Sequence, residues 1–304
     1  MKAAVIGVGH LGKHHARILA SLPGVTLAGV VDIDAGRAAE IAREYGSVAY
    51  ADAQQIDGLE LAVIAAPTES HAALAQPLVE AGVHTLVEKP VTQTLDEADR
   101  LIAAAKAKGV VLAVGHSERF NPAVVAARPY VSDPRFIEVH RLGTQLGRSL
   151  DIDVVLDLMI HDLDLILSMV PSTVESVEAV GVPVLTPKVD IANARVRFAN
   201  GCIANLTASR ISKDPVRKIR FFQRERYVSI DTAAREVEMF QVVPQEGMPK
   251  IGGGKLAVPG DEPLKAELED FVAAVREARA PAVPGEQGRA ALSLAVKIVE
   301  LMKQ

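Results

Sequence analysis

The chain has 304 residues, of which 49% are hydrophobic and 23% charged, a composition typical of a folded protein rather than a disordered or fibrous one. The 33 Lys and Arg against 38 Asp and Glu leave a net charge of −5, without the basic surplus of a nucleic-acid binder. Cys202 is the single cysteine, which excludes an intrachain disulfide and favours a cytoplasmic protein. No apolar run approaches the ~20 residues of a membrane span, so we expect no membrane association.

The first 115 residues alternate short apolar runs with longer helical patterns, most of which end at glycine or proline. Strands that are apolar along their whole length and are joined by helices are typical of a parallel sheet covered on both faces. Strands are predicted at Lys2–Gly7, Val25–Asp32, Leu59–Ala65, Val83–Val87 and Val110–Gly115, and helices at Leu11–Leu22, Ala35–Tyr45, Ser70–Ala81 and Leu95–Lys108.

Beyond Phe120 the predicted strands follow one another with little helix between them. Strands are predicted at Arg135–Leu142, Val174–Val182, Ile191–Phe198, Cys202–Ser209, Arg217–Phe222 and Tyr227–Asp231, and helices at Asp153–Met169, Pro263–Arg279 and Gly288–Met302. This order predicts an α+β domain with an open, mostly antiparallel sheet. The stretch Val243–Pro263, with five glycines and four prolines, predicts a loop. We therefore expect two domains, residues 1–118 and 119–304.

A glycine-rich loop follows the first predicted strand and opens the first helix. The loop Gly7-Val8-Gly9-His10-Leu11-Gly12 has the spacing for a tight turn, for close approach of a pyrophosphate to bare backbone, and for close helix–strand packing. Asp32 ends the next strand, where a carboxylate accepts hydrogen bonds from adenosine ribose hydroxyls and repels a 2′-phosphate. The pattern predicts a Rossmann domain that binds NAD more readily than NADP. Arg37 could soften this preference or lie along a solvated helix face.

Glu88-Lys89-Pro90 lies just beyond a predicted parallel strand, at the sheet edge where such folds bind ligands. A lysine at this position can donate hydrogen bonds to a substrate hydroxyl and stabilise a developing alkoxide. A lone lysine in such a loop can equally be a surface residue, and Pro90 biases Lys89 toward an extended backbone.

Asp157 and His161 are four residues apart in the predicted helix Asp153–Met169, and Asp164 follows three residues later, so all three would share one helical face. Histidine is suited to taking a proton at neutral pH, and a carboxylate beside it fixes its tautomer. The same residues could instead be a hydrogen-bonded structural histidine with solvated aspartates. A metal site is also conceivable, but we expect none because a dinucleotide supplies the redox chemistry.

Together these residues resemble the glucose–fructose oxidoreductase/inositol dehydrogenase (Gfo/Idh/MocA) family. The resemblance is carried by the glycine loop with Asp32, by Ala66-Pro67-Thr68 with His71, by Glu88-Lys89-Pro90 and by Asp157…His161. Segment 115–122 resembles the crossover between that family's domains, and Glu267–Phe271 with Pro281 resembles its C-terminal helix. The likeness covers essentially the whole chain.

The resemblance implies hydride transfer between a nicotinamide and a carbon of a sugar or polyol ring. It implies that Lys89 binds and polarises the reacting hydroxyl, that His161 is the acid/base, and that Asp157 holds substrate or orients the pair. Lining of the nicotinamide ribose side is implied for Thr68, His71 and Glu88, and binding of substrate for His116, Arg119, Asn121 and Arg210. The implied assembly is a homodimer or homotetramer formed through the C-terminal sheet.

One departure concerns the helix that carries His161. The family commonly has a Gly-Gly pair before this segment and a glycine within it, whereas this chain has Asp153-Val154-Val155 and Met159. This puts in doubt the transfer of a simple sugar specificity. The segment Asp151–Leu167 and the stretch Ser209–Ser212 resemble the branch that acts on nucleotide sugars, which implies oxidation of the 3-hydroxyl of a UDP-N-acetylhexosamine such as UDP-N-acetylglucosamine.

Four basic residues could clamp the diphosphate of such a substrate if they share a sheet face: Arg210, Arg217, Lys218 and Arg220. Alternatively, Arg217 and Arg220 are three apart in a strand and would point to opposite faces. Two further hypotheses stay open, a free-sugar or inositol dehydrogenase of the same family and a non-catalytic dinucleotide-binding regulator.

Overall fold

The computed structural model describes residues 1–144, 152–245, 248–260 and 262–303, and the chain forms two compact units. Unit 1 comprises Met1–Ser117 and Pro263–Arg289, and unit 2 comprises Glu118–Glu262 and Ala290–Gln304. A single cut at residue 118 would assign Pro263–Arg289 to the second domain, yet this segment packs on unit 1. Leu268 and Phe271 belong to the same apolar core as Ile18, and the Arg276 guanidinium donates to the Pro23 carbonyl at 2.6 Å.

Unit 1 contains a parallel six-stranded sheet with helices between its strands, as expected for a doubly wound α/β domain. The strands run in the order β3-β2-β1-β4-β5-β6. Their bounds are β1 Lys2–Ile6, β2 Thr26–Val31, β3 Ala49–Tyr50, β4 Leu61–Ile64, β5 His84–Glu88 and β6 Leu112–Gly115. The helices are α1 Gly12–Ser21, α2 Ala35–Glu44, α3 Thr68–Glu80 and α4 Leu95–Lys108, with a 3₁₀ turn at Ala53–Gln55. The two-residue strand β3 was not predicted.

Helix α4 shows how local sequence sets the helix ends in unit 1. The Thr94 hydroxyl accepts the Glu97 N–H and the Glu97 carboxylate accepts the Thr94 N–H, which forms a capping box. Gly109 ends the helix with φ of 67°, a left-handed conformation that costs glycine little. Between these caps, Ala98, Leu101, Ile102 and Ala105 face the core.

The order of the strands determines where a ligand can bind in unit 1. Strand β1 lies between β2 and β4, and the chain order reverses there, so the loops that follow β1 and β4 diverge. The carboxyl ends of parallel strands at such a reversal form the crevice that binds ligands in open α/β sheets. The glycine loop follows β1, and the turn Ala66-Pro67-Thr68 follows β4.

Unit 2 contains an eight-stranded sheet in the order β14-β13-β12-β11-β7-β10-β9-β8, in which only the β7–β10 pair is parallel within the described chain. The strands are β7 Phe136–Thr144, β8 Val174–Val182, β9 Ile191–Phe198, β10 Ile203–Ser209, β11 Ile211–Phe222, β12 Arg226–Asp231, β13 Glu236–Val243 and β14 Lys250–Lys255. The helices are α5 Pro122–Ala127 and α6 Ile160–Met169. This architecture confirms the expected open, mostly antiparallel sheet.

The C-terminal part of the chain contributes one helix that lies wholly in unit 1 and one that begins there and continues in unit 2. They are α7 Pro263–Arg276 and α8 Gly285–Leu301. Helix α7 ends before the predicted Arg279, and Ala278 has a positive φ of 48°. In unit 2, Leu294 and Ile298 of α8 pack into the same core as Ile160 and Leu163 of α6, which covers one face of the sheet.

Two predictions in unit 2 were wrong in part. The stretch Val243–Pro263, expected to be a loop, contains β14, which pairs with β13. Gly253 there has φ of 143°, and a Cβ on it would collide with the Met239 carbonyl, so glycine allows the two strands to approach. Residues 246, 247 and 261 of this stretch lie outside the described residues. The predicted helix Asp153–Met169 is not α-helical throughout, since Val155–Met159 forms a π turn before α6.

Within the described residues, no helix is both long enough and apolar enough to cross a membrane.

Candidate functional site

The glycine loop of unit 1 has the geometry that its spacing predicts. A Cβ on Gly7 would lie 2.8 Å from the backbone of Ala65 and Ala66, and one on Gly12 would collide with the Gly7 carbonyl. A Cβ on Gly9 would meet no atom within 4 Å. Gly7 and Gly12 thus make the turn and the close packing, while Gly9 leaves bare backbone at the surface. His10 and Leu11 are exposed, and α1 begins without a side-chain cap, which leaves its N-terminus suited to a phosphate group.

Asp32 follows β2 and is held by three groups. Its Oδ2 accepts the Val8 N–H at 2.8 Å, its Oδ1 accepts the Asp34 N–H at 2.9 Å, and the Arg37 guanidinium bonds both oxygens. Burial would raise the pKa of Asp32, but the hydrogen bonds from Arg37, Asp34 and Val8 hold it below its ordinary value. The carboxylate is therefore ionised where a ribose would bind, and Arg37, although exposed on α2, bonds Asp32.

These features fit a dinucleotide. The glycine loop offers a cradle that a Cβ at Gly9 would fill, the α1 N-terminus offers N–H groups to a pyrophosphate, and Asp32 offers carboxylate oxygens to ribose hydroxyls. The turn Ala66-Pro67-Thr68 borders the same crevice, because the backbone N of Ala66 lies only 2.8 Å from where a Cβ on Gly7 would be. Pro67 is exposed and Ala66 and Thr68 are half-buried, so this turn can contact a ligand.

His71 was expected to line the nicotinamide ribose side, but the structure buries it. Only 1% of His71 is exposed, with Nδ1 2.9 Å from the Pro90 carbonyl oxygen and Nε2 2.8 Å from the Ala66 carbonyl oxygen. The imidazole therefore joins the loop after β4 to the loop after β5. His116, predicted to bind substrate, is fully buried at the end of β6.

Lys89 directly follows β5 and is half-buried, so it can contact a ligand at the carboxyl edge of the sheet. Glu88, by contrast, is 6% exposed, and its carboxylate bonds the His15 imidazole and the Lys89 N–H. Glu88 therefore supports the loop from behind rather than lining the ribose side as expected. His15 was not predicted to take part.

Asp157 and His161 lie at the start of the helical segment of unit 2, and both are half-buried. Asp157 belongs to the π turn Val155–Met159, whose i→i+5 hydrogen bonds widen the helix, and His161 is in the first turn of α6. Such turns occur often at functional sites. Val154, Val155 and Met159, which replace the family's glycines, are fully buried in the core. Asp164 does not join the other two, since it is buried in a pair with Arg119.

Three residues predicted to bind substrate instead have partners inside unit 2. Arg119 is 8% exposed and bonds both carboxylate oxygens of Asp164. Asn121 caps α5 through the Ala123 N–H, and Arg210 is 1% exposed, donating to the Ile152 carbonyl at 2.6 Å. These contacts stabilise unit 2, because a buried guanidinium or amide needs hydrogen-bond partners.

Sequence reasoning missed Arg141, which is 4% exposed and central to this part of unit 2. It bonds both carboxylate oxygens of Asp162 at 2.8 Å and Glu118 at 3.1 Å. Burial acts against its charge, but the carboxylates of Asp162 and Glu118 raise the pKa of Arg141 above its ordinary value. Asp162 is adjacent to His161, so this pair anchors the first turn of α6 to β7.

The proposed basic clamp does not form on one face of the sheet. Arg220 bonds Glu138 at 2.9 Å, and Lys218 lies 4.0 Å from Asp231, on the face away from the core. Arg217 pairs in register with the buried Arg141 and so points to the opposite face, as the strand period suggests. Within the described residues, no group of three or more His, Cys, Asp or Glu could hold a metal ion.

Family models match both parts of the chain. Residues 1–116 match the GFO_IDH_MocA model, described as an oxidoreductase family with an NAD-binding Rossmann fold. Residues 135–226 match the GFO/IDH/MocA C-terminal domain.

Individual proteins give closer comparisons. The chain is 40% identical over 307 positions to the UDP-N-acetylglucosamine 3-dehydrogenase of Acidithiobacillus ferrooxidans, covering 98% of this chain and 96% of the relative. A solved structure of that protein superposes with a TM-score of 0.94 at 38% identity and covers 100% of this chain and 98% of the other. The scyllo-inositol 2-dehydrogenase (NAD⁺) of Bacillus subtilis is 29% identical over 70% of this chain and 68% of its own length. Levoglucosan dehydrogenase in complex with NADH, at 21% identity and a TM-score of 0.88 with 100% and 97% coverage, shares the fold.

Proposed function

Because the chain belongs to the GFO/IDH/MocA family of NAD-binding oxidoreductases, we propose that it is a nucleotide-sugar dehydrogenase that oxidises the 3-hydroxyl of UDP-N-acetylglucosamine. The observation that carries this proposal is the 40% identity to UDP-N-acetylglucosamine 3-dehydrogenase, which extends over 98% of the chain. The 29% identity to an inositol dehydrogenase over 70% of the chain favours a second candidate, an inositol or free-sugar dehydrogenase.

The proposed cofactor site consists of the glycine loop for the pyrophosphate, Asp32 for the adenosine ribose, and the turn Ala66-Pro67-Thr68 for the nicotinamide half. When bound, NAD⁺ supplies the acceptor for the hydride that leaves the carbon being oxidised. Hydrogen bonds lower the pKa of Asp32 and keep its carboxylate negatively charged, so the 2′-phosphate of NADP would be repelled there. This supports NAD as the preferred cofactor over NADP.

In the proposed reaction three side chains of this chain act on the sugar. Lys89 donates a hydrogen bond to the reacting hydroxyl oxygen, which stabilises the negative charge that develops there. His161 takes the hydroxyl proton as general base, and Asp157 orients the imidazole or holds the sugar. Loss of that proton to His161 and of the hydride to the nicotinamide turns the C–OH group into a ketone, so atoms and charges balance.

A panel of substrates tests the proposal. The purified protein is mixed with NAD⁺ and, separately, UDP-N-acetylglucosamine, UDP-glucose, free N-acetylglucosamine, scyllo-inositol and myo-inositol, and reduced nicotinamide is followed by absorbance. We expect turnover with UDP-N-acetylglucosamine at a kcat/KM well above that of any free sugar. Turnover with an inositol and none with a UDP-sugar would establish the second candidate, and no turnover with any of them would favour a dinucleotide-binding regulator.

We also propose that the outer face of the unit 2 sheet binds a second copy of the chain, giving a homodimer or homotetramer. Ile137, Phe221 and Val228 point to the core, so their strand neighbours form the outer face. An aromatic row crosses four strands there, with ring centroids 5.5, 5.1 and 6.4 Å apart, through Phe136, Phe222, Tyr227 and Phe240. Phe222 is 36% exposed, which is typical of an apolar surface that an interface covers.

Charges beside this aromatic row favour an identical partner. Cross-strand pairing places Glu178 opposite Arg195, Glu138 opposite Arg220, and Glu238 opposite Lys255. Because the signs alternate across the sheet, a second copy related by a twofold axis can set acids against bases. Sedimentation of the wild-type chain and of Phe222→Lys tests this: we expect an oligomer that the variant dissociates, whereas a wild-type monomer at micromolar concentration would contradict it.

For the compartment, we propose the cytoplasm. Cys202 is a free and buried thiol, so the fold needs no oxidising environment. Burial raises its pKa to about 11, which makes the thiol poorly reactive.

A further inference from the structure

The backbone of Lys89 is held by a buried carboxylate. Glu88 ends β5 with 6% of its surface exposed, and its Oε2 accepts the Lys89 N–H at 3.1 Å. Its Oε1 lies 2.8 Å from Nε2 of His15, which reaches it from α1, 73 positions away in the chain. Because a carboxylate only accepts hydrogen bonds, the His15 Nε2–H is the donor. The Glu88 carboxylate therefore links helix α1 to the backbone N–H of Lys89, the lysine proposed to bind the reacting hydroxyl.

The fold makes room for this carboxylate. Gly115 on β6 pairs in register with Glu88, and a Cβ on Gly115 would lie 2.9 Å from Cδ and Oε2 of Glu88. A side chain at that position would push the carboxylate away from Lys89. Glycine at position 115 thus leaves room for the Glu88 carboxylate in its observed position.

Among the described residues, His15 has one hydrogen-bond partner, Glu88. It is fully buried, and its Nδ1 makes no hydrogen bond with any residue in the described part of the chain. Burying a polar ring nitrogen without a partner costs free energy, so a purely structural position would favour an apolar side chain there. The bond from Nε2 to Glu88 is what an apolar residue could not supply.

The other side of Lys89 is held by a second buried histidine. His71, on α3, has Nδ1 2.9 Å from the Pro90 carbonyl oxygen and Nε2 2.8 Å from the Ala66 carbonyl oxygen. Helices α1 and α3 therefore each direct an imidazole at the residues that flank Lys89. The two contacts fix the loop after β5 on both sides, whereas the Lys89 side chain remains half-buried at the sheet edge.

We propose that His15 is a positioning residue for Lys89, acting through Glu88, with His71 serving the same loop from its other side. The proposal deepens the proposed function and rests on it only for the part that Lys89 plays in catalysis. A reacting lysine gains from such support because a misplacement of about 1 Å can cost ~100-fold in rate.

The charge of Glu88 gives the proposal a signature that simple packing lacks. Burial would raise the pKa of Glu88, but the His15 hydrogen bond, the nearby charges and the Lys89 N–H hold it below its ordinary value. The charges that act on the Glu88 carboxyl are those of His15 and Lys89. Two more titratable groups belong to neighbouring segments: His71, which contacts the Pro90 carbonyl, and the buried His116, which follows Gly115. Glu88 is thus ionised above this lowered pKa, and its support of Lys89 is lost only as the pH falls through it. Without His15, burial is less opposed, so that loss would occur at a higher pH.

Two matched substitutions test the proposal. His15→Leu removes the donor, whereas His15→Gln retains an N–H that can reach Glu88. For His15→Leu we expect kcat about 10–100-fold lower and little change in NAD affinity by calorimetry. Its kcat/KM relative to the wild-type chain should fall further as the pH is lowered, because the support from Glu88 is lost at a higher pH than in wild type, whereas protonation of His161 affects both chains alike. His15→Gln should recover most of the rate. Equal effects of Leu and Gln on kcat, or a kcat/KM of His15→Leu relative to wild type that does not change with pH, would overturn the proposal.

A second measurement keeps this test independent of the substrate. Amide hydrogen exchange of segment 86–92, measured by mass spectrometry on the NAD-free and NAD-bound protein, should be faster in His15→Leu and near wild-type in His15→Gln. If no UDP-sugar is turned over but exchange changes in this way, the proposed substrate fails and the positioning role stands; unchanged exchange would refute the role. If His15→Leu does not fold, Glu88→Gln replaces it and should lower kcat and quicken exchange in segment 86–92, and wild-type values of both would contradict the role.

Discussion

Unit 1 and unit 2 hold their candidate residues by different means. In unit 1, the glycine loop, Asp32 and Lys89 each follow a strand of one parallel sheet. The strands alone therefore bring them to the same edge of the sheet. In unit 2, the helix that carries His161 is anchored by ion pairs between residues far apart in sequence, such as Arg119–Asp164 and Arg141–Asp162, separated by 45 and 21 positions. The first arrangement presents backbone and charge to a ligand, and the second uses charge to hold a helix in place.

The largest expected effect is the loss of kcat when either of two proposed catalytic residues, Lys89 in unit 1 or His161 in unit 2, is replaced. Lys89→Ala and His161→Ala should each reduce kcat on the order of 10³-fold, because each removes stabilisation or proton transfer that acts in the transition state. NAD affinity, measured by calorimetry, should stay within a few-fold of wild type. A wild-type rate in either variant would remove that residue from the mechanism and leave its unit with the binding role alone.

Breaking the buried pair of unit 2 should have the next largest effect, on stability. Arg141→Met leaves the buried Asp162 carboxylate without its cation and should cost about 3–5 kcal/mol of unfolding free energy. Lys265→Met, which removes the exposed pair with Glu269 on α7, is the control and should leave the urea midpoint unchanged. Similar midpoints for both variants would show that the Arg141 pair does not anchor α6.

The glycines of unit 1 should separate folding from ligand binding. Gly9→Ala adds a methyl group where nothing lies within 4 Å, so the melting temperature should be unchanged while NAD binds roughly 10-fold more weakly. Gly12→Ala forces the methyl into the Gly7 carbonyl and should lower the melting temperature. Thermal unfolding and NAD titration of both variants check this. Wild-type NAD affinity in Gly9→Ala would place the pyrophosphate elsewhere.

Arg37 should have the smallest effect. Arg37→Gln removes the cation that bonds both oxygens of Asp32, so the carboxylate should repel a 2′-phosphate more strongly. The ratio of kcat/KM for NADP⁺ to that for NAD⁺ should fall a few-fold, as measured by steady-state kinetics. A ratio that rises would mean that Arg37 does not offset the charge of Asp32.

The strand–loop–helix order of unit 1 was predictable from sequence, because its signals lie within a few residues of each other. Apolar runs, helix-ending glycines and the glycine loop locate the strands and place Asp32 and Lys89 at one edge of the sheet. What the sequence did not reveal is which polar side chains face inward. His15 had one detectable signal, since it lies on the apolar stripe of α1 with Ala16 and Leu19, where a polar group needs a buried partner.

In unit 2, strands β7 to β12 and helix α6 were predicted, whereas β13, β14, α5 and the partners of the charged residues were not. Arg119, Asn121 and Arg210 carry the residue types that bind an anionic sugar, and only tertiary contacts show that Asp164, the α5 N-terminus and the Ile152 carbonyl occupy them. The π turn has no recognisable sequence signal either, since Val155–Met159 has the apolar pattern of an ordinary helix. Strand β14 was missed because glycine-rich segments favour loops unless a neighbouring strand pairs with them.

The most direct test of the central claim follows the hydrogen that is transferred. UDP-N-acetylglucosamine carrying deuterium at C3 is incubated with NAD⁺ and the wild-type chain, and the reduced cofactor and the sugar are analysed by mass spectrometry. We predict that the deuterium appears in the reduced nicotinamide and that the sugar becomes a 3-ketone. Reduced cofactor without deuterium, or a sugar that keeps its C3 label, would contradict oxidation at this carbon.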